Sequence, residues 1–136
     1  MKNDEILPKY YKVADYFIDH LPTDKVAYWD LDFTDGGEPR DSSASAIAAC
    51  GLLEAIKNMP LDEEHKAKYT RAASDIMNAL IDECASVNEP EIDGIIKHGT
   101  YYYAGRIGID ECCIWGDYFY MEALMRLYNP EWKKYW

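Results

Sequence analysis

Asp41-Ser42-Ser43-Ala44-Ser45-Ala46-Ile47-Ala48-Ala49-Cys50-Gly51-Leu52-Leu53-Glu54-Ala55 is the stretch on which the fold turns. It predicts a helix opened by Asp41 or Ser42, residue types whose side-chain oxygens cap free backbone N–H groups. Small side chains fall nearly all round that helix, so neighbouring backbones approach it closely on several sides. It is an inner helix. Downstream, about Asp62 to Ala85 aligns Tyr69, Ala73, Ile76, Met77, Leu80 and Cys84 on one stripe and charged residues on the other. Asp62, Glu63 and Glu64 in its first turn suit the positive end of the helix dipole. That pattern is an outer helix.

Further out, about Asp4 to Asp19 places Ile6, Tyr10, Val13, Ala14, Phe17 and Ile18 on one face. Pro8 is tolerated in its first turns, and Pro22 closes it. A fourth helix opens at Trp115 or Gly116, runs through Glu122, Leu124, Met125 and Leu127, and stops at Asn129-Pro130. The order outer, inner, outer, inner predicts an all-α chain: two stacked α/α hairpins in a single α-helical domain, residues 1–136. The stretches 21–40 and 89–111 read as loops, and no strand is expected.

The chain has 136 residues, 49 % of them hydrophobic and 29 % charged, with a net charge of −11. That size buries a real core. Nucleic acid is excluded as a partner, because the Lys/Arg density that neutralises phosphates is missing. An acidic membrane surface would repel the chain, and no apolar run reaches membrane-spanning length. Met1-Lys2-Asn3-Asp4-Glu5 lacks the apolar core of a signal peptide. Cys50, Cys84, Cys112 and Cys113 show no framework spacing, so a reducing, cytoplasmic setting is expected.

His98-Gly99-Thr100-Tyr101-Tyr102-Tyr103-Ala104-Gly105 gathers rings, glycines and ionisable groups in one loop. Aromatic faces beside polar tips suit a sugar ring, which stacks while its hydroxyls are hydrogen-bonded. The alternative is a tyrosine-rich plug at the end of a helical core. Lys97, His98 and Arg106 bracket the loop and leave room for an acidic small ligand. His98 is expected to face a ligand, whereas His20 and His65 belong at the surface near helix ends. Arg40-Asp41-Ser42-Ser43 is either an anion site or, as its residue types favour, a cap with Arg40 paired to Asp41 or Asp117. Asp117, at the start of a buried helix beside Trp115, either has a perturbed environment or holds the tyrosine loop in place. Asp30-x-Asp32-x-Thr34-Asp35-Gly36 fails the calcium pattern, which wants glycine sixth and glutamate twelfth but finds Asp35 and Asp41. The histidines form no metal-binding cluster. No metal and no cofactor are expected.

Three blocks carry a resemblance. They are Leu21-Pro22 with Tyr28-Trp29-Asp30-Leu31-Asp32; Arg40-Asp41-Ser42-Ser43-Ala44 through Gly51-Leu52-Leu53-Glu54; and His98-Gly99-x-Tyr101 with Ile114-Trp115-Gly116-Asp117-Tyr118-Phe119-Tyr120-Met121-Glu122-Ala123-Leu124. In order and spacing, along nearly the whole chain, they resemble the glycoside hydrolase family that contains the unsaturated glucuronyl hydrolases. The resemblance implies a barrel of six α/α hairpins with inner helices around a cleft. This chain would be its last third, a partial α/α toroid. It also implies hydrolysis of the unsaturated uronic acid that lyases leave on oligosaccharides. In that chemistry an aspartic acid protonates C4, water adds at C5, and the hemiketal falls apart.

The family's principal catalytic aspartates lie in earlier hairpins, one in a His-Asp context. This chain has no His-Asp dipeptide, so no catalytic residue carries over. The resemblance assigns substrate contact to Tyr101, with His98 and Tyr102 on the cleft wall. Trp29, Arg40, Asp41, Trp115 and Asp117 would shape the cleft and the barrel end. The implied partner is an unsaturated uronic-acid oligosaccharide, bound in a complete barrel. A complementary N-terminal chain, or self-association into a homo-oligomer, would close the ring. A non-catalytic self-associating module or sugar-binding remnant is the alternative.

Overall fold

The computed structural model describes residues 3–133. Its elements are α1 (Asn3–Asp19), α2 (Ser42–Asn58), α3 (Glu63–Ala79), a π-helical turn (Leu80–Cys84), β1 (Gly99–Tyr102), β2 (Ile107–Glu111) and α4 (Ile114–Tyr128). α2 starts where expected: the Asp41 carboxylate accepts from the backbone N–H groups of Ser43 and Ala44. Asp62 likewise caps α3 by accepting from His65 N. The expected long outer helix widens into the π turn, where Ala85 N donates to Leu80 O. Lys97 N then takes Cys84 O, and Ala85 pairs with Ile96, so the chain beyond the turn is stitched to the approach to β1.

α2 lies at the centre. Ala46, Ala49 and Ala55 on it, Ala73 and Ile76 on α3, and Ala123 on α4 are all buried. Alanine at these crossings removes the side-chain bulk that would hold the backbones apart. Tyr69 and Met77 complete the α3 stripe, which Leu80 and Cys84 carry on into the π turn, all buried. Each fully buried Leu, Ile or Met contributes about 1.5–3 kcal/mol. α1 leans on this core through Tyr10, Tyr11, Ala14, Phe17 and Ile18. His65 stacks on Tyr11 at 3.7 Å, and His20 stacks on Tyr16 at 3.8 Å, each near a helix end.

The all-α expectation needs a correction. β1 and β2 pair antiparallel, Thr100 opposite Ile109 and Tyr102 opposite Ile107, with an irregularity between Gly99 and Thr100. Thr100-Tyr101-Tyr102 and Ile107-Gly108-Ile109 are rich in β-branched and aromatic types, which fit a pleated surface. They are too short to show a period, and left-handed residues precede each strand at His98 and Arg106 and interrupt the second at Gly108 and Asp110.

Two apolar flanks lie open. Between α1 and α2 runs a groove of about 240 Å³ where Val13, Phe17 and Ile47 meet Gly51. No atom lies within 4 Å of the position a Gly51 Cβ would take. Along α4, Ile114, Tyr118, Met121 and Met125 form an exposed stripe at helical spacing. α2 is therefore enclosed by α3 and α4 but bare at Ile47 and Gly51, less covered than its composition implies. No described helix is long and apolar enough to cross a membrane.

Candidate functional site

The hairpin sits over the N-terminal ends of α2 and α4, fixed to the first by hydrogen bonds and to the second by the contact of the Tyr101 and Trp115 rings. Asp41 Oδ1 accepts from Ser43 N at 3.1 Å, Ser43 Oγ at 2.6 Å and Thr100 N at 3.4 Å. The Thr100 hydroxyl donates to Arg40 O at 2.8 Å, and Ser42 N donates to His98 O at 2.9 Å. The start of the inner helix and the first strand are thereby one unit.

On this frame the tyrosines go three ways. The Tyr101 ring is 62 % exposed and leans on Trp115, centroids 5.4 Å apart at 54°. Tyr102, also exposed, lies against Gly105, where a Cβ would come within 2.2 Å of its ring. Tyr103 stacks flat on Trp29 at 3.9 Å and 10°. Tyr103 OH (3.3 Å) and Trp29 Nε1 (3.1 Å) both donate to Glu38 Oε2, so this pair locks the 21–40 loop onto the hairpin. Glu38 was not legible as part of the site, and Thr100, Tyr103 and Ser43 stood in the candidate stretches without the roles they take here. Only their partners, distant in sequence, reveal them.

Arg40 does not pair with Asp41 or Asp117. Its guanidinium lies 3.9 Å over the Tyr28 ring and donates to both oxygens of Asp24 at 3.0 and 2.6 Å, and to Val26 O at 2.7 Å. The Asp41 carboxylate is turned to the helix start, which leaves Arg40 the opposite side. Lys97 and His98, beside the loop, are also paired. Lys97 Nζ donates to Glu89, and His98 Nδ1 lies 2.5 Å from Asp110 Oδ1. His98 and Asp110 both have left-handed backbones (φ 65° and 62°), and the pair ties down the base of the hairpin.

Asp117 takes the holding role. Its Oδ1 accepts from Ile95 N at 2.8 Å and Ile96 N at 3.0 Å, pinning the segment that leads into β1 to the first turn of α4. Asp117→Ala should cost about 2–4 kcal/mol, because two amides lose a charged acceptor and Ile96 is buried. Asp117→Asn keeps the acceptor oxygen and should recover most of that in urea denaturation. Burial raises the Cys112 and Cys113 thiols above their usual range, which disfavours the nucleophilic thiolate at both.

The structure therefore brings Tyr101, Tyr102, Trp115, Asp41 and His98 to one end of the inner helices, with Trp29 beside them and Arg40 behind. Asp41 and Asp117 each commit an oxygen to holding backbone. What faces solvent is a ring surface edged with hydroxyls. It can stack and hydrogen-bond a polar ring.

No family model matches the chain. It is 41 % identical to an unsaturated chondroitin disaccharide hydrolase of Streptococcus pyogenes, over 100 % of this chain and 34 % of that protein. It is 40 % identical to an unsaturated glucuronyl hydrolase of Bacillus sp. strain GL1, over 92 % of this chain and 33 % of the relative. A crystal structure of a mutant unsaturated glucuronyl hydrolase from Streptococcus agalactiae, complexed with dGlcA-GalNAc6S, superposes with a TM-score of 0.83. That match has 44 % identity and covers 90 % of this chain and 33 % of the other. The chain is homologous to these hydrolases and spans about a third of their length.

Proposed function

We propose that this chain, kin to the unsaturated glucuronyl hydrolases along its length, forms the last third of such a barrel and one wall of its sugar pocket. Tyr101 contacts the unsaturated uronic-acid unit, and His98 and Tyr102 flank it. Trp29, Arg40, Asp41, Trp115 and Asp117 hold those side chains in place. The observation that carries this reading is the exposed Tyr101 ring, backed by Trp115 at the ends of both inner helices. The acid that protonates the vinyl ether resides on the other four hairpins, so residues 1–136, as a single partial toroid, do not turn over alone.

The two open flanks support this placement. The α1–α2 groove would take the preceding hairpin, and the α4 stripe would take the first hairpin of the ring. Patches of this kind mark interfaces rather than free surface. The same flanks favour a second reading, a self-associating module in which the α4 stripe of one copy fills the α1–α2 groove of the next. The free cysteines fit a cytoplasmic setting.

The test follows loss of ultraviolet absorbance from an unsaturated uronyl disaccharide. The chain alone should be inactive, and a second polypeptide carrying the other four hairpins should restore turnover. In that assembly Tyr101→Ala should lower kcat/KM by about tenfold or more, equivalent to losing roughly 1.4 kcal/mol. Sustained turnover by the chain alone would refute the absent acid, and an unchanged kcat/KM would remove Tyr101 from the wall.

A further inference from the structure

Ser43 is 2 % exposed, yet its hydroxyl meets partners from two separate parts of the molecule. It donates to Asp41 Oδ1 at 2.6 Å and accepts the Trp115 indole N–H at 3.1 Å. A hydroxyl has one proton to give, and here it goes to the acceptor that also caps α2. Its lone pairs are thereby fixed in direction, toward the indole.

The backbone enforces the same meeting. A Cβ on Gly116 would stand 3.2 Å from Ser43 Cβ and 3.1 Å from Cys113 Sγ, so the first turn of α4 lies tight against Ser43. Trp115 is the residue just before that glycine. Its ring is therefore held at the backbone by close approach and at its far edge by one hydrogen bond. Tyr101 leans on the same ring, and its strand is anchored to the same carboxylate through Thr100 N.

We propose that Ser43 is the positioning residue of the Trp115–Tyr101 ring pair, setting the orientation of the surface that the wall reading assigns to the sugar. The relay runs Asp41, Ser43, Trp115, Tyr101. Its importance for carbohydrate rests on that reading; the relay itself does not. Asp41 is thus more than a cap, since its oxygen aims the hydroxyl that aims the indole.

Solvent exchange and chemical shift of the Trp115 indole N–H, read by two-dimensional NMR on the intact chain, give the test. Ser43→Ala should move the resonance and speed its exchange roughly tenfold, the change expected for losing one ordinary hydrogen bond. Asp41→Asn keeps an acceptor oxygen and should leave the indole near its wild-type shift, while Asp41→Ala should move it as Ser43→Ala does. A merely structural cap would not give this pattern, because Ser43→Ala leaves the Asp41 bonds to the backbone in place. An indole signal unchanged in Ser43→Ala, or one moved equally by Asp41→Asn and Asp41→Ala, overturns the relay. No sugar is present, so failure of the carbohydrate reading leaves this measurement standing.

Discussion

Arg126→Met should destabilise the chain by about 3–5 kcal/mol, the usual cost of leaving a buried charge without its partner. At this size that is a fall in Tm of about 10–20 °C. Glu122 is 5 % exposed on the inner side of α4, and its Oε1 accepts from Arg126 Nε at 2.8 Å and from a terminal nitrogen at 2.7 Å. The other terminal nitrogen reaches Glu54 Oε2 on α2 at 2.7 Å, so one guanidinium bridges the two inner helices at the end opposite the tyrosine hairpin. Burial pulls the guanidinium pKa down, but its bonds to Glu122 and Glu54 outweigh that and hold it above the ordinary value. While its carboxylate partners are ionised, the stability that this raised value brings is fully present below the ordinary arginine range and is lost only as pH rises through the raised value. The double variant Arg126→Met with Glu122→Leu should recover at least half the loss, because no charge is then stranded. A drop below about 1 kcal/mol in Arg126→Met would mean that water reaches Glu122.

Tyr69→Ala should cost about 3–5 kcal/mol and concentrate its effect on one helix. Tyr69 is fully buried at the centre of the outer layer, with the Tyr10 ring edge-on at 5.9 Å and Tyr11 tilted at 6.3 Å. α1 reaches α2 more thinly, through contacts such as the Tyr10 hydroxyl donating to Gly51 O at 3.1 Å. Removing the Tyr69 ring should free α1 while α2 and α4 stay packed. Hydrogen exchange should show α1 amides losing protection well before those of α2. Loss spread evenly over all four helices would contradict this account.

The helices were legible because burial imposes a period. The alanine-rich run of α2 and the Tyr69-to-Cys84 stripe of α3 each announce which side is covered. The hairpin was not legible: its strands are Gly99–Tyr102 and Ile107–Glu111, and its left-handed turns fall on His98, Arg106 and Asp110 rather than on glycine alone. The Thr100-Tyr101-Tyr102 and Ile107-Gly108-Ile109 runs on either side of Ala104-Gly105 were the available signal. At the site, residue types marked Asp41 as a cap but left Asp117 open between a perturbed environment and a holding role. The partner of Arg40 could not be read, because Asp24 comes near only once the 21–40 loop has closed on Tyr28. Ser43 stood in the capping cluster that opens its helix, with nothing to link it to Trp115. Its importance exists only in the space between α2 and α4.

The bare stripe on α4 carries a chemical liability. Met121 and Met125 present their thioethers to solvent, while Met77 is sealed in the core. Peroxide would convert the first two to sulfoxides and spare the third. A sulfoxide is polar and bulkier, so an oxidised chain would lose the greasy character of this ridge. Were the stripe covered by a neighbour as proposed above, that cover would shield both sulfurs from the oxidant.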